Sequence, residues 1–587
     1  MCLCIVTLSF RFAEAIEPLQ NLDPRPNVVV FLSDDQGWGD FSFTGNQDLS
    51  TPNIDSLARD GAVFQNFFVC PVCSPTRAEF LTGRYFARTN IYSTSAGGER
   101  MDLDEVTIAQ HFQSAGYATA ALGKWHNGTQ YPYHPNARGF NEFYGFCSGH
   151  WGHYFDTLLE HNGQMTEGKG FCVDDFTNHA MELIKSNQDK PFFVYLPYNT
   201  PHSPMQVPDR FWKKFADKEL TQPSSKPEKE QLDHTRCALA MCENIDWNVG
   251  RVLKQLDELK LSENTIVIYF NDNGPNGWRW NGGMKGKKGS TDEGGVKTPM
   301  IVRWPAATPA GTRINAVAGA IDVLPTLCKL CEVPIQGSQK LDGVSFALEL
   351  KGAKVKRRPR TYFNAWRNRI SARTGAFRLD DKGNLFNMIS DPAQTKAVNK
   401  ENPEVAERLL KQVDTFRADV MSQIDADGLI EFPIGHPDCR FTQLPARDAI
   451  ATGKIKRSNR YPNCSFFTAW TRSEDTISWP VEVLKSGRYQ VDLYYTCGEE
   501  NTGVEMELEF AEARLPFKIT EAHDPPLVGA ADDRFKRAES YVKKFKPANI
   551  GIIELDAGKG KLVLRTRKLA GKQSIDFRLL FLTRVEE

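Results

Sequence analysis

Hydrophobic residues in the first half of the chain occur in short runs that alternate with helical patterns, from about residue 26 to residue 305. Continuous apolar runs of this length are typical of strands buried on both faces. They predict strands at 27–33, 117–123, 191–196 and 265–270. Because helical segments separate these strands, we predict an α/β fold with a doubly wound, mostly parallel sheet that carries helices on both faces.

Three of the intervening segments have the spacing and the end signals of helices. Residues 54–60 stop at Gly61, which suits a left-handed C-terminal cap. Residues 107–115 begin with the capping hydroxyl of Thr107 and end at Gly116. Residues 244–259 place apolar side chains on one face at helical spacing, namely Ile245, Val249, Val252 and Leu256.

The pattern changes in the second half of the chain. Short strands at about 360–386 and a helix near 402–424 predict a small α+β subdomain. Beyond Pro433, apolar residues alternate at period two between glycine-containing turns, which predicts an antiparallel β-sandwich of about 150 residues. We therefore divide the chain into a signal or tail at 1–25, an α/β domain at 26–350, a subdomain completing it at 351–430 and an accessory sandwich at 431–587.

Polar side chains lie at the ends of the four predicted strands or a few residues beyond them. They are Asp34 and Asp35, Lys124 and His126, His202, and Asp272 with Asn273. In open α/β sheets, ligands bind outside the carboxyl ends of the strands. We therefore expect these groups, which are far apart in sequence, to meet in one crevice.

Size and charge exclude several classes of protein. The chain has 587 residues, too many for one hydrophobic core, and its 72 basic and 73 acidic residues give a net charge of -1. Nucleic-acid binding would need a clustered basic excess, so we expect no such partner. No run of 18 apolar residues occurs, so we expect no membrane span.

The N-terminus resembles a secretion signal in part. Residues 2–10 are apolar, and Ala13, Glu14 and Ala15 have the small-x-small pattern of a cleavage site, although the positively charged lead-in is missing. We predict export, to the periplasm or out of the cell. A disordered tail is the alternative.

Thirteen cysteines are too few for a disulfide scaffold in a chain of this length. Two CxxC pairs occur, Cys70 with Cys73 and Cys328 with Cys331. The second pair lies in an amphipathic helical pattern, where core packing is the favoured interpretation.

The most specific motif begins at Cys73. Cys73-Ser-Pro-Thr-Arg77 is followed by a short helical segment and by Thr82-Gly-Arg84. This resembles the signature of type I sulfatases, C-x-P-x-R and then T-G-R, and the resemblance covers about 27–304 and, more loosely, the following subdomain. It implies the alkaline-phosphatase superfold and a cysteine oxidised to formylglycine, an aldehyde whose hydrate carries two hydroxyls. The maturing partner would be a formylglycine-generating or an anaerobic maturase enzyme.

A redox CxxC is the alternative for Cys70 and Cys73. A thioredoxin-like unit would need the pair directly after a strand, inside a much smaller fold. Here Pro75 instead opens a helix, where proline is tolerated in the first turn. A nucleophile at a helix N-terminus also has nearby peptide N–H groups that favour an anionic oxygen.

Two pairs of acidic or amide residues predict a metal site. They are Asp34 with Asp35 and Asp272 with Asn273. Either pair alone is more often a turn former, but two pairs at one sheet edge favour ligands. Four hard oxygen ligands suit Ca²⁺, or Mg²⁺, rather than zinc. The resemblance assigns these four residues as metal ligands, with the modified Cys73 as a fifth.

Three further segments match the family pattern. Lys124-Trp-His126 resembles its G-K-W-H segment, His202 lies in a P-H-x-P turn, and Lys288 matches a third basic position. Asn127 stands where many members have leucine. A lone histidine is more often structural, and His134, His150, His153 and His161 have no motif to support them, although 149–153 is a candidate lining of the substrate pocket.

The resemblance implies a role for each group. One hydroxyl of the diol attacks sulfur, and Arg77, Lys124 and Lys288 stabilise the charge on the sulfate. His202, or alternatively Lys288, protonates the leaving oxygen, which leaves a covalent sulfoenzyme. His126 then takes the proton of the second hydroxyl, and sulfate is released.

Several interpretations stay open at this stage. The arginines at 367, 369 and 373 either contact an anionic glycan or face solvent. Trp470, Trp479, Tyr494 and Tyr495 form either a sugar platform or, as is commoner, part of a core. A sulfated carbohydrate is the expected substrate, while a phosphoester or phosphonate monoester hydrolase and a catalytically inert glycan-binding protein are the rival functions.

Overall fold

The structure is a computed structural model that describes residues 25–426 and 431–586. The predicted signal at 1–25 therefore lies, except for Arg25, outside the described residues. Within the described residues, no helix combines the length and the apolar character needed to cross a membrane.

The first ten strands form one mixed sheet. They are β1 (Asn27–Ser33), β2 (Ala62–Phe68), β3 (Ala118–Lys124), β4 (Glu142–Phe146), β5 (Leu158–His161), β6 (Gln164–Glu167), β7 (Phe192–Pro197), β8 (Thr265–Asn271), β9 (Lys297–Arg303) and β10 (Thr312–Gly319). Their order is β10-β2-β9-β8-β1-β7-β3-β4-β5-β6. The five strands from β8 to β4 run parallel, while β9 and β5 run antiparallel to their neighbours. The predicted, mostly parallel sheet is confirmed, and the four strands expected from sequence are neighbours at its centre.

Helices cover both faces of this sheet. They are α1 (Pro52–Asp60), α2 (Cys73–Thr82), α3 (Ile108–Ser114), α4 (Cys172–Ser186), α5 (Asp209–Trp212), α6 (Leu232–Glu258), α7 (Glu293–Val296), α8 (Val323–Leu330) and α9 (Ala347–Leu350). A later helix, α10 (Pro403–Asp419), packs on the subdomain in the second half of the chain. Alternate residues of a strand point to opposite faces. Val28 and Val30 accordingly lie in a core shared with α2, α3 and α8, and Val29 and Phe31 lie in a second core shared with α1, α4 and α6.

The predicted helix ends are right in part. Thr107 forms a capping box with Gln110 at the start of α3. The left-handed cap predicted at Gly61 is wrong, because this residue is extended, with φ -133°. A Cβ there would lie 2.4 Å from the carbonyl oxygen of Val302, so glycine is needed for the close approach of β9. Helix α6 begins at Leu232, twelve residues before the predicted start.

The second half of the chain forms three further sheets. The subdomain sheet contains β11 (Tyr362–Trp366), β12 (Arg369–Arg373), β13 (Phe377–Leu379) and β14 (Leu385–Asn387), and α10 follows it. The sandwich contains β15 (Phe432–Ile434), β16 (Phe441–Pro445), β17 (Ile450–Ala451), β18 (Lys456–Arg457), β19 (Phe467–Thr468), β20 (Thr476–Val483), β21 (Gly487–Thr496), β22 (Glu505–Phe510), β23 (Ala513–Lys518), β24 (Lys546–Leu555), β25 (Gly558–Lys568) and β26 (Asp576–Arg584). These twelve strands pair into two six-stranded, mainly antiparallel sheets, which confirms the predicted fold class.

Burial decides two of the open interpretations. Trp470, Trp479 and Tyr495 lie inside the sandwich core, and Tyr494 is buried against a smaller cluster. None of the four is more than 8% exposed, so they form no sugar platform. The Cys328 and Cys331 side chains are buried in the core around α8, as predicted, and burial raises the pKa of both thiols.

Candidate active site

The acidic and amide side chains that follow β1 and β8 lie together at the carboxyl edge of the sheet. These strands are adjacent and in register, with Ser33 opposite Asn271. Asp34, Asp35, Asp272 and Asn273 are all fully buried. The Asp35 N–H donates to Asp272 Oδ1 over 3.1 Å, and Asn273 Nδ2 donates to Asp35 Oδ1 over 2.8 Å.

Each of the three carboxylates pairs with one cation. Lys124, the last residue of β3, places Nζ 2.6 Å from Asp34 Oδ2. Lys288 Nζ lies 2.6 Å from Asp35 Oδ1. Arg77 Nη2 lies 2.8 Å from Asp272 Oδ2, and its Nη1 donates to the Lys124 carbonyl oxygen over 2.7 Å. All of these predicted residues are therefore brought into one site.

Burial and the neighbouring charges together shift the pKa values of Asp35 and Asp272 in opposite directions. Burial alone raises the pKa of Asp35, but the ammonium of Lys288 and further partners outweigh it, so the pKa lies well below its usual range. Burial and the negative charge of Asp34 raise the pKa of Asp272 to about 6, although Arg77 opposes this.

Three buried oxygen atoms at this edge have no hydrogen-bond partner within residues 25–426 and 431–586. They are Asp34 Oδ1, Asp35 Oδ2 and Asn273 Oδ1. Unpaired buried oxygens are unfavourable unless something else compensates them. The ligand atoms of Asp34, Cys73 and Asp272 also lie within 4.8 Å of one another. Two carboxylate oxygens and one amide oxygen form a donor set that fits a hard divalent cation.

Cys73 is the first residue of α2 and is buried beside these acids. Thr76 holds this turn, because its Oγ1 accepts from Cys70 N over 2.9 Å and donates to the Asp272 carbonyl oxygen over 2.6 Å. Sequence reasoning missed Thr76, which occupies a variable position of the C-x-P-x-R signature. Burial raises the pKa of both Cys70 and Cys73, whereas redox-active cysteines are exposed and have lowered pKa values. The redox alternative is not supported.

His126 is a buried imidazole with one free nitrogen. Its Nε2 lies 2.9 Å from the Thr94 carbonyl oxygen, so Nε2 carries the ring proton in the neutral form. Its Nδ1 is buried and has no hydrogen-bond partner in the part of the chain that the structure describes. Burial and the charge of Lys124 lower the pKa of His126 well below its usual range. The neutral ring therefore presents Nδ1 as a proton acceptor.

His202 is also buried at the site, with Nε2 3.7 Å from Asp35 Oδ2. Its Nδ1 is 2.6 Å from the Ser203 carbonyl oxygen. Burial and the charge of Lys288 lower the pKa of His202 to about 4. For Lys288, burial lowers the pKa, but the charge of Asp35 outweighs it and raises the pKa overall. At neutral pH, Lys288 thus carries a proton, and His202 is uncharged.

Among the four histidines without motif support, only His150 touches the site. Its ring stacks on His202 with centroids 5.6 Å apart. Each of the others pairs with a carboxylate outside the site: His134 with Glu160, His153 with Asp532 and His161 with Glu142.

The sandwich also reaches the site, which the sequence did not indicate. His150 Nε2 lies 3.1 Å from Cys464 Sγ. A Cβ on Gly149 would lie 2.4 Å from Asn463 Nδ2 and 2.5 Å from His126 Nε2, so these three residues are in close contact. Asn463 and Cys464 lie in an irregular loop without a recognisable motif, so no sequence signal could have identified them.

Two remaining sequence questions are settled by contacts. Asn127 donates to the Ser74 carbonyl oxygen over 3.3 Å, immediately after the Cys73 position. Arg373 is buried and pairs with Glu293 at 3.1 Å, so it neither binds a glycan nor faces solvent. Arg367 and Arg369 are exposed.

The chain is similar to several known proteins. A family model described as Sulfatase matches residues 26–333, slightly more than half of the chain. N-acetylgalactosamine-6-sulfatase of Canis lupus familiaris is 29% identical over 377 residues, which cover 58% of this chain and 68% of that protein. Arylsulfatase G of Rattus norvegicus is 28% identical over 485 residues, which cover 69% of this chain and 88% of that protein. The solved structure of Ps i-CgsB in complex with k-i-k-neocarrahexaose is 29% identical, with a TM-score of 0.61 and coverage of 68% and 93%.

Proposed function

Because the chain belongs to the sulfatase family and is therefore a hydrolase of sulfate esters, we propose that it acts through a formylglycine made from Cys73 and a bound divalent cation. The observation that carries this proposal is the pairing of three buried carboxylates with three cations around Cys73, beside two carboxylate oxygens and one amide oxygen that are buried and have no hydrogen-bond partner among the described residues. Asp34, Asp35, Asp272 and Asn273 would hold the cation. Their oxygen donors favour Ca²⁺, with Mg²⁺ as the alternative.

The modified site also has a simple charge balance. Three carboxylates and three basic side chains cancel, so a divalent cation and a singly charged sulfate ester would together leave a net positive charge of about one, which favours the charge that develops on the sulfate. The hydrated aldehyde would supply the nucleophilic hydroxyl, and the cation would supply positive charge beside it and beside the sulfate. Arg77, Lys124 and Lys288 would orient the sulfate and stabilise its developing charge.

Proton transfer is assigned from the ring contacts. His126 accepts a proton at Nδ1, because Nε2 is committed to the Thr94 carbonyl oxygen. Lys288 and His202 are the two candidates for protonating the leaving alcohol oxygen. Lys288 carries a proton at neutral pH, whereas His202 must first gain one. These considerations favour Lys288 as the acid.

The leaving group distinguishes these two candidates. A general acid matters more as the leaving alcohol becomes more basic. In a series of aryl sulfates, we expect the rate deficit of Lys288→Ala to grow with the pKa of the leaving phenol and that of His202→Ala to stay constant. The opposite pattern would assign the acid to His202.

Sulfated carbohydrate is the proposed substrate class. Support comes from the names of relatives: one acts on N-acetylgalactosamine 6-sulfate by its name, and the structure of Ps i-CgsB contains a neocarrahexaose. We also propose maturation by a formylglycine-generating or anaerobic maturase enzyme and a periplasmic or secreted location. The last proposal depends only on the apolar stretch at 2–10 and the cleavage-like pattern at 13–15.

The central test compares matched aryl sulfate and aryl phosphate esters on protein from the native host. We expect sulfate release to dominate and to be lost in Cys73→Ala but retained in Cys328→Ala, which alters a remote buried cysteine. Mass spectrometry should find the Cys73 peptide about 18 Da lighter than the unmodified peptide. Faster phosphate release would favour the phosphoester or phosphonate hydrolase. An intact thiol with no release of either anion would favour the inert glycan-binding protein.

A further inference from the structure

A groove of about 860 Å³ lies beside the loop that carries Lys288. Its walls come from residues 221–226 and from residues of the 278–292 segment, with a small contribution from the subdomain. The side chains with recognition chemistry are Lys226, Trp278, Trp280, Lys285, Lys287 and Asp292. None of them takes part in the reaction proposed above.

The two tryptophans are held in a fixed position relative to the active site. Arg279, which separates them, is buried and donates to both oxygens of Asp40, with its Nε 2.8 Å from Oδ1 and its Nη2 2.6 Å from Oδ2. The same Nη2 donates to the Asp35 carbonyl oxygen over 2.9 Å. Trp278 and Trp280 are partly exposed on either side of this anchor. The aromatic wall is therefore tied to the turn that bears Asp35.

The groove also has ammonium groups without anionic partners. Lys226 Nζ and Lys287 Nζ lie 5.0 Å and 6.0 Å from the centroid of the Trp278 ring. Among the described residues, neither has a carboxylate oxygen within 4.0 Å, whereas Lys285 pairs with Asp292 at 3.2 Å. Lys287 Nζ donates to the Asn276 carbonyl oxygen over 3.1 Å, and burial lowers the pKa of Lys287. Two ammonium groups without a carboxylate partner among the described residues thus lie within 6.0 Å of the centre of one aromatic ring.

We propose that this groove binds a second anionic unit of a sulfated polysaccharide, adjacent to the unit whose ester is cleaved. The substrate class rests on the proposed function. Sulfate or carboxylate groups of the second unit would contact Lys226 and Lys287, and the apolar face of its sugar ring would pack on Trp278. The neighbouring residue Lys288 contacts Asp35 in the active site, so one chain of sugars would reach both places. A solvated basic surface without a ligand is the alternative.

Substrate size separates these interpretations. An aryl sulfate occupies only the site around Cys73, whereas a polysaccharide also fills the groove. The double variant Lys226→Gln/Trp278→Ala should therefore lower kcat/KM about tenfold on the sulfated polysaccharide and change it less than about twofold on the aryl sulfate. Lys411→Gln combined with Trp247→Ala is the matched control, because it removes an exposed lysine and a partly exposed tryptophan outside the groove.

Binding is measured separately from catalysis in the Cys73→Ala background. Affinity electrophoresis in gels containing chondroitin sulfate or carrageenan, with desulfated chondroitin as the reference, should show retardation that falls as salt rises. The groove variant should lose most of this retardation, and the control variant should keep it. Circular dichroism melting checks that each variant is folded.

The two proposals fail in different ways. Absence of aryl sulfate hydrolysis by the matured wild-type protein would reject the proposed function. The binding measurement would then test the groove proposal by itself. Equal retardation of the groove variant and its parent would overturn the groove proposal, and so would a parent that no sulfated polysaccharide retards.

Discussion

Replacing Glu293 by glutamine tests how the Lys288 segment is attached to the subdomain. Glu293 is the first residue of α7 and follows Lys288 by five residues. Its carboxylate lies 3.1 Å from Arg373 Nε and 2.9 Å from Arg378 Nε, on β12 and β13. All three side chains are at most 3% exposed. Glutamine keeps the shape of the side chain but leaves two buried guanidinium groups without a counter-charge.

The pKa of Glu293 sets the expected magnitude. Burial alone would raise it, but the two arginines outweigh burial and lower the pKa from 4.5 to about 2. At about 1.4 kcal/mol per pKa unit, the ionised form contributes about 3 kcal/mol to the free energy of unfolding at neutral pH. This value agrees with the roughly 3 to 5 kcal/mol lost when one partner of a buried ion pair is removed.

Denaturant unfolding at pH 7 measures this loss directly. Glu258→Gln is the control, because Glu258 pairs with Lys254 at 3.5 Å on the exposed side of α6, where we expect less than about 1 kcal/mol. The difference between wild type and Glu293→Gln should be constant above pH 4.5. It should shrink as the pH falls below 4.5 toward about 2, because a lowered folded-state pKa makes the unfolded chain bind more protons in that range.

The reasoning would be refuted by a Glu293→Gln variant that is no less stable than Glu258→Gln. It would also be refuted if the difference from wild type grew on acidification. Either result would mean that the two arginines do not depend on this carboxylate for charge compensation.

Three further outcomes are expected. Gly61→Ala should lower the free energy of unfolding by about 2 kcal/mol or more, because its Cβ would meet a backbone carbonyl oxygen of β9. Gly375 has open space around it, so Gly375→Ala should cost less than about 1 kcal/mol, and equal losses would contradict the packing argument. Thr76→Val should lower kcat about tenfold or more, because it removes the hydroxyl that bridges Cys70 and Asp272. Thr76→Ser keeps this hydroxyl and should retain the wild-type kcat, and a serine variant as slow as the valine variant would assign the loss to packing. Removal of the proposed divalent cation with a chelator should lower both activity and the melting temperature, since three buried oxygens would lose their ligand. Added Ca²⁺ should restore both, and better recovery with Mg²⁺ would make the calcium assignment wrong.

The sequence determined much of this protein because the relevant signals are local. Apolar runs located β1, β3, β7 and β8 to within about two residues, since a strand buried on both faces needs only a short continuous apolar segment. The C-x-P-x-R motif at Cys73 likewise lies within one helical turn. Strand ends that carry polar side chains predicted a shared crevice, because parallel neighbouring strands end at the same edge.

Only the tertiary structure decided which groups contact each other. The contact of Asp34 with Lys124 joins residues 90 positions apart, and that of Arg373 with Glu293 joins residues 80 positions apart. Contacts between residues so far apart in sequence depend on how whole elements pack. The extended backbone of Gly61 has the same origin, because the constraint comes from a different strand, β9. Alternating aromatic residues of the sandwich suit a core more often than a sugar surface, and only the packing of the two sheets shows that Trp479 faces inward. A local pattern specifies which side chains an element presents, and packing specifies what those side chains meet.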